Sequence, residues 1–253
     1  MHTEHTIMSN LAKLRVHIVP LGFEFDRIVL PAKEMKADKV WLVRHDNPSQ
    51  DKSQSYSDNI QKDFKKNKIQ VEFAEADRGD VFHILKTVKE IFEKEKENDI
   101  YVNVSSGSKI QAIACMMACM MFKECRVTPY YAEPESYPST QGKQQSTGLK
   151  NIVSLPKYEI QKPRQELVDA LKIIQSHDGR ITKKEMAELA ENAKLITIGA
   201  KEENQSQARF ASLDKNIIQP LEEQWKFIEI EKIGRNRYIQ ITQDGINAAK
   251  FLT

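Results

Sequence analysis

At 253 residues, with 40% apolar and 29% charged side chains, the chain has the composition of a soluble globular protein with room for one large domain or two small ones. Its formal charge of +2 is spread evenly, with 22 basic and 21 acidic residues through Pro156 and 16 and 15 beyond it, so any nucleic-acid surface has to be local. Cys115, Cys119 and Cys125 form no disulfide framework and have no histidine at metal spacing. They predict buried small apolar side chains, no metal site and a reducing, cytoplasmic setting. Met1 to Asn10 has no signal-peptide core and no apolar run reaches ~18 residues, so neither export nor a membrane partner is expected.

Leu14 to Leu21 reads as a first strand, Gly22 as the turn after it and Glu24 to Ala37 as a helix with acids at its start. Lys39 to Val43 is a second strand, followed by a polar loop from Asp46 to Ser55, a polar helix from Tyr56 to Asn67 and a third strand from Ile69 to Ala74. Val81, Ile84, Leu85, Val88, Ile91 and Phe92 recur at helical spacing within Asp80 to Glu97. Ile100 to Val104 is a fourth strand. It breaks into Ser105-Ser106-Gly107-Ser108-Lys109 and then an alanine- and methionine-rich helix to Met121, with a fifth strand at Val127 to Ala132.

This alternation predicts an α/β fold with a Rossmann-like, doubly wound parallel sheet. Ligands of such sheets lie beyond the carboxyl ends of the strands, which would gather Gly22-Phe23, Arg44-His45, Asp77-Arg78 and Asn103 to Lys109. Small residues after a strand let backbone N–H groups approach an anion, hydroxyls can hydrogen-bond it, and Lys109 adds charge in the first helical turn. The second glycine of a Walker loop and its lysine spacing are missing, so nucleoside triphosphate hydrolysis is not the reading. The alternative is that Ser105 or Ser106 serves only as a helix cap. Phe23 could stack on a base and Asp26 reach a ribose or amine, or Phe25 could be core and Asp26 merely favour the helix start. His45 is titratable but has no nucleophile beside it in sequence, and no catalytic residue is assigned. Glu133 to Lys150 reads as a long loop or hairpin tip, either a surface excursion or a lid.

A second, smaller domain, from Lys157 to Thr253, follows the first at Met1 to Pro156. It holds a helix from Arg164 to Gln175, a capping box of Thr182 with Glu185, a short helix from Lys183 to Ala190, and a third helix from Gln205 to Gln224 with Pro220 as a kink or boundary. Phe227 to Glu231 and Arg237 to Thr242 alternate like hairpin arms around Gly234-Arg235-Asn236, and Gln243 to Leu252 closes the chain as a helix. That order is a winged helix-turn-helix. Lys232, Arg235 and Arg237 lie within six residues without an acid, as a wing gripping phosphates or the minor groove requires. Ser206, Gln207, Arg209 and Lys215 of the third helix are the candidate readers of base or phosphate, and Asn236 joins the wing set.

Val16 to Arg27, the Val40 to Val43 strand and Asn103-Val-Ser-Ser-Gly-Ser-Lys109 together resemble a CRISPR-associated Rossmann fold (CARF) regulator joined to a winged helix-turn-helix. More narrowly, the chain is similar to an archaeal family of CARF-like transcriptional regulators. Ser106 stands where many members have glycine. The resemblance implies a homodimer in which two such turns line one ligand pocket, a cyclic oligoadenylate or other nucleotide as ligand, double-stranded DNA as target, transcriptional control as output and no cofactor. Some CARF domains cut their ligand with hydroxyl and lysine groups at this turn, so Ser106 and Lys109 keep a ring nuclease open beside the regulator. A winged domain that binds protein is the third reading.

Overall fold

The computed structural model describes residues 12–51, 53–123, 125–137, 145–198 and 205–253, and the chain divides into two compact units between Ile160 and Gln161. In the first unit β1 (Arg15–Pro20), β2 (Lys39–His45), β3 (Gln70–Ala76), β4 (Asp99–Asn103) and β5 (Val127–Glu133) run parallel, in the order β3-β2-β1-β4-β5. The near-continuous apolar runs of β1 and β2 suit strands covered on both faces, and Val16, Ile18, Val40 and Leu42 are fully buried. Helices α1 (Asp26–Glu34) and α2 (Gln54–Lys66) pack Ile28, Val29, Ile60 and Phe64 against Val19, Val40 and Leu42. On the other face α3 (Val81–Lys94) and α4 (Lys109–Met121) bury Ile84, Leu85, Val88 and Ile91 with Ala114, Cys115 and Ala118.

The chain works outward from β1 to β3 on one side, then crosses to β4 and β5 on the other. The switch point therefore falls between β1 and β4, and the crevice beyond their carboxyl ends is where Gly22 meets the Asn103 to Lys109 turn.

An element absent from the sequence reading is β6 (Asn151–Ser154), which pairs antiparallel with β5, so the parallel sheet carries one antiparallel edge. The Ser136↔Thr147 bridge extends that hairpin. The expected loop of Glu133 to Lys150 is thus a hairpin connection at both ends, and its 138–144 part lies outside the described residues.

The second unit contains α5 (Gln165–Gln175), β7 (Arg180–Thr182), α6 (Lys183–Asn192), α7 (Gln205–Leu213), β8 (Ile228–Ile233), β9 (Asn236–Ile241) and α8 (Gln243–Leu252). Its antiparallel sheet has the order β7-β9-β8. Leu171, Ile174, Met186, Leu213, Ile217 and Ile239 form one buried core. Three expectations change here. Thr182 accepts from the Glu185 amide at 3.2 Å, but the Glu185 carboxylate meets the Thr182 hydroxyl at 3.3 Å, so the box is one-armed at the backbone. The third helix is α-helical only to Leu213 and continues in wide π-helical turns over Asp214–Ile218 and Pro220–Gln224. Asn236 pairs with Ile233, so the wing turn is the two residues Gly234-Arg235 and Asn236 begins β9. Among the described residues no helix is long and apolar enough to cross a membrane.

Candidate ligand and nucleic-acid sites

At the end of β4 the Asn103 side chain is fully buried and fully occupied. Its Nδ2 donates to the Arg27 carbonyl at 2.8 Å and its Oδ1 accepts from the Ser105 amide at 2.9 Å and from the Ser105 hydroxyl. Ser105 Oγ in turn accepts from the Ala132 amide at 3.1 Å. Ser106, 2% exposed, donates its hydroxyl to the Pro20 carbonyl at 2.8 Å. These three side chains shape the turn and lock it onto β1, α1 and β5.

Gly22 and Gly107 are where the two loops touch. A Cβ on Gly22 would stand 2.8 Å from the Gly107 nitrogen, and one on Gly107, at φ +76°, would stand 2.6 Å from Pro20 Cβ. Ser108 then opens α4 with a capping box: its hydroxyl accepts from the Gln111 amide at 3.1 Å and its amide donates to Gln111 Oε1 at 2.9 Å. Gln111 is buried, with Nε2 unpartnered. The amides of Lys109 and Ile110 are left without intrahelical acceptors, at the positive end of the helix dipole. Lys109 is exposed and has no ion pair among the described residues.

Phe23, 37% exposed, sets its ring edge-on to Tyr56 with centroids 5.9 Å apart. Asp26 is committed to the chain after β5, accepting from the Gly148 amide at 2.9 Å. Beside it the buried Glu24 accepts from the Ser146 hydroxyl at 2.6 Å and lies 3.7 Å from Arg27. Burial pushes the Glu24 carboxyl above its ordinary range, against Ser146 and Arg27, which favour its charge. Arg27 donates Nε to the Ala132 carbonyl at 2.9 Å and covers the Tyr131 ring at 4.8 Å. The candidate site set left out Glu24 and Arg27, although both lie in the Gly22 to Arg27 segment it drew on, and Ser146, which had no signal of its own.

Arg44 and His45 are not brought to the turn. Arg44 pairs with Glu75 at 2.6 Å over the Phe73 ring, and His45 Nδ1 sits 2.8 Å from Asp46 and 3.1 Å from the Asn47 amide. Both are held on the β2–β3 side of the sheet. Asp77 accepts from the Gly79 amide at 2.8 Å, while Arg78 donates to Leu21 O at 3.1 Å, Asp51 at 2.9 Å and Ser53 at 2.5 Å. Burial opposes charge on Asp51, but Ser53 and Arg78 outweigh it and hold the carboxyl below its usual range. Cys115 and Cys119 are buried, and burial pushes both thiols up, Cys115 to about 12, which makes them packing residues.

In the second unit Ser206 and Gln207 are exposed on the first turn of α7, and Lys215 is exposed on the π-helical turn. Arg209 is spent on Glu191 at 2.6 Å. Lys232 and Arg237 face each other across β8 and β9, and these two residues, Arg235 and Asn236 are all exposed.

Comparison with known proteins follows the same division. Residues 15–137 match the family model described as "HFX_2341_N:-like, N-terminal", and residues 166–253 match that of the DUF6293 C-terminal winged helix domain. Uncharacterized protein MJ1513 of Methanocaldococcus jannaschii is 30% identical over 194 residues, 66% of this chain and 58% of that protein. Among solved structures, Enterococcus italicus Csm6 bound to cyclic hexa-2'-fluoro-hexa-dAMP has a TM-score of 0.42 at 11% identity, over 84% of this chain and 56% of that one. Can2 from Sulfobacillus thermosulfidooxidans in complex with cyclic tetra-adenylate has a TM-score of 0.40 at 12% identity, over 93% and 63%. The chain thus spans between half and two thirds of the length of each of these proteins.

Proposed function

Because this chain joins an HFX_2341_N-like N-terminal domain to a DUF6293 C-terminal winged helix domain, we propose that it is a ligand-responsive, DNA-binding transcriptional regulator. The observation that carries the sensing half is the Ser108–Lys109 helix start at the β1–β4 switch point. Asn103, Ser105, Ser106 and Ser108 are used up in holding the turn, and what remains is two backbone amides, the unpartnered Gln111 Nε2 and one unpaired ammonium. That set suits a phosphate. The resemblance of the turn to CARF regulators names cyclic oligoadenylate as the nucleotide to test, bound in the cytoplasm.

Next to Lys109, α4 leaves Ile110 40% and Ile113 55% exposed. A second copy of the chain covering this face would form a homodimer, set the two Lys109 turns beside one dyad, and give a symmetric ring of nucleotides the same contacts twice. The ligand then changes DNA binding to the extent that it prefers one arrangement of the dimer. A ring nuclease is the less supported reading, because the Ser106 hydroxyl it would use is buried and bonded to Pro20.

Calorimetry with cyclic tetra-adenylate and cyclic hexa-adenylate tests the site. We expect one ring per two chains and loss of binding in Lys109→Ala with the fold intact. Unchanged affinity in that variant removes the site assignment.

A further inference from the structure

We infer that the free edge of β3 is a docking site for an extended acidic segment of another protein, which joins the sheet as an added strand. In the order β3-β2-β1-β4-β5-β6, β3 hydrogen-bonds to β2 alone, so one row of its backbone N–H and C=O groups is unpaired within the described sheet. Its seven residues pair with β2 in unbroken register from Lys39↔Gln70 to His45↔Ala76. The strand therefore has neither the proline nor the bulge that commonly blunts an exposed edge. Val71 to Ala74 are half-buried, whereas Val40 to Val43 of β2 are buried. The other edge strand, β6, is only four residues long and offers a much shorter row.

Two grooves, each lined by β3 and one flanking helix, lie beside that edge. Toward α2 a groove of about 640 Å³ is lined by Lys62, Lys65 and Lys68, with Ile69 and Val71 as its apolar part and Asp58 as its one acid among the described residues. Toward α3 a groove of about 460 Å³ is lined by Lys86, Lys94 and Trp41, with the Lys94 ammonium 5.4 Å from the Trp41 ring centroid. Its acids are Glu75, which Arg44 neutralises at 2.6 Å, and Glu90. Lys62, Lys65, Lys68, Lys86 and Lys94 are exposed and have no ion pair among the described residues. Successive side chains of an added strand point to opposite faces and so enter the two grooves in turn. Backbone pairing supplies the affinity, the lysines on both faces select acids, and Ile69 and Val71 receive apolar side chains between them.

The test uses a fluorescein-labelled peptide of two Glu-Glu-Val-Val repeats, which sets acids and valines on both faces of a strand, titrated with the full chain and read by anisotropy. Lys62→Glu with Lys65→Glu, both at exposed positions, should weaken binding by about tenfold or more, and a Lys-Lys-Val-Val repeat should not bind. N-methylation of alternate peptide residues, in two complementary phases, keeps every charge but blocks the pairing row in one phase, which should lose binding. Equal binding of the two methylated peptides overturns strand addition, and unchanged affinity in the lysine variant overturns the selection for acids. A wild type that binds no repeat peptide overturns the site outright. Light scattering should show the same oligomeric state with and without peptide; dimers split by the peptide assign the edge to a second copy of this chain and overturn the inference.

Discussion

His17 lies in the middle of β1, fully buried, stacked on Tyr101 at 5.1 Å and sharing a hydrogen bond of 3.1 Å between Nδ1 and the Tyr130 hydroxyl. Its Nε2 is buried without a partner. Burial, reinforced by the charge of Arg15, pushes the imidazole down to about 3 from the 6.5 of an exposed histidine. The unfolded chain therefore takes up a proton between those values that the folded chain refuses. Stability is fully present above about pH 6.5 and is lost as pH falls, by up to ~1.4 kcal/mol per pH unit from this one group. His17→Phe should flatten that slope, measured by urea unfolding at pH 7.5 and pH 5 through Trp41 fluorescence in a Trp225→Phe background; parallel losses in both proteins would exclude His17 as the cause. At this scale the sequence placed a capped helix start beside Lys109 but put the cap two or three residues early: Ser108 caps the helix, while Ser105 and Ser106, the expected caps, bond to Asn103 and to the Pro20 carbonyl. Asp26 was not legible, because its partner Gly148 is 122 positions away. The same holds for Glu24 and Ser146.

At the scale of elements, short apolar runs between turn signals placed β1 to β5, three-and-four spacing placed α3, and the segments between strands placed α1, α2 and α4. β6 escaped because it is four residues long and mostly exposed, and β7 because it is three residues long and merges with the α6 cap. The π-helical turns were invisible for a different reason: Phe210, Leu213, Ile217 and Leu221 also fit an α-helix. Their physical cause is legible in retrospect. Pro220 has no N–H for the Asn216 carbonyl, and the Arg164 guanidinium donates to that carbonyl instead. Arg164→Ala should cost the second unit about 1 kcal/mol or less, the net contribution of one hydrogen bond whose carbonyl water can reach, and Pro220→Ala should relieve most of that loss in the double variant. Thermal unfolding of the four proteins in the cycle measures it, and an additive double variant would show that the two residues do not serve the same carbonyl.

Across the whole molecule, the order of elements carried the division into a sheet unit and a winged unit, because βα alternation and a helix–helix–hairpin series have different rhythms. Which side chains would meet a ligand was less legible: of the polar residues in the Asn103 to Lys109 turn, Asn103, Ser105 and Ser106 serve the fold, leaving the Lys109 ammonium and backbone amides for an anion. In the proposed reading, sensing belongs to a helix start in one unit and DNA binding to the basic wing of the other, with the ligand coupling them. The most direct measurement is duplex affinity of the full chain with and without saturating cyclic tetra-adenylate or cyclic hexa-adenylate, in wild type and Lys109→Ala. The account predicts a shift of 5-fold or more, the size of an ordinary allosteric coupling of about 1 kcal/mol, in the wild type, and none in the variant, which keeps its basal DNA binding. Equal duplex affinity with and without bound nucleotide in the wild type would contradict it.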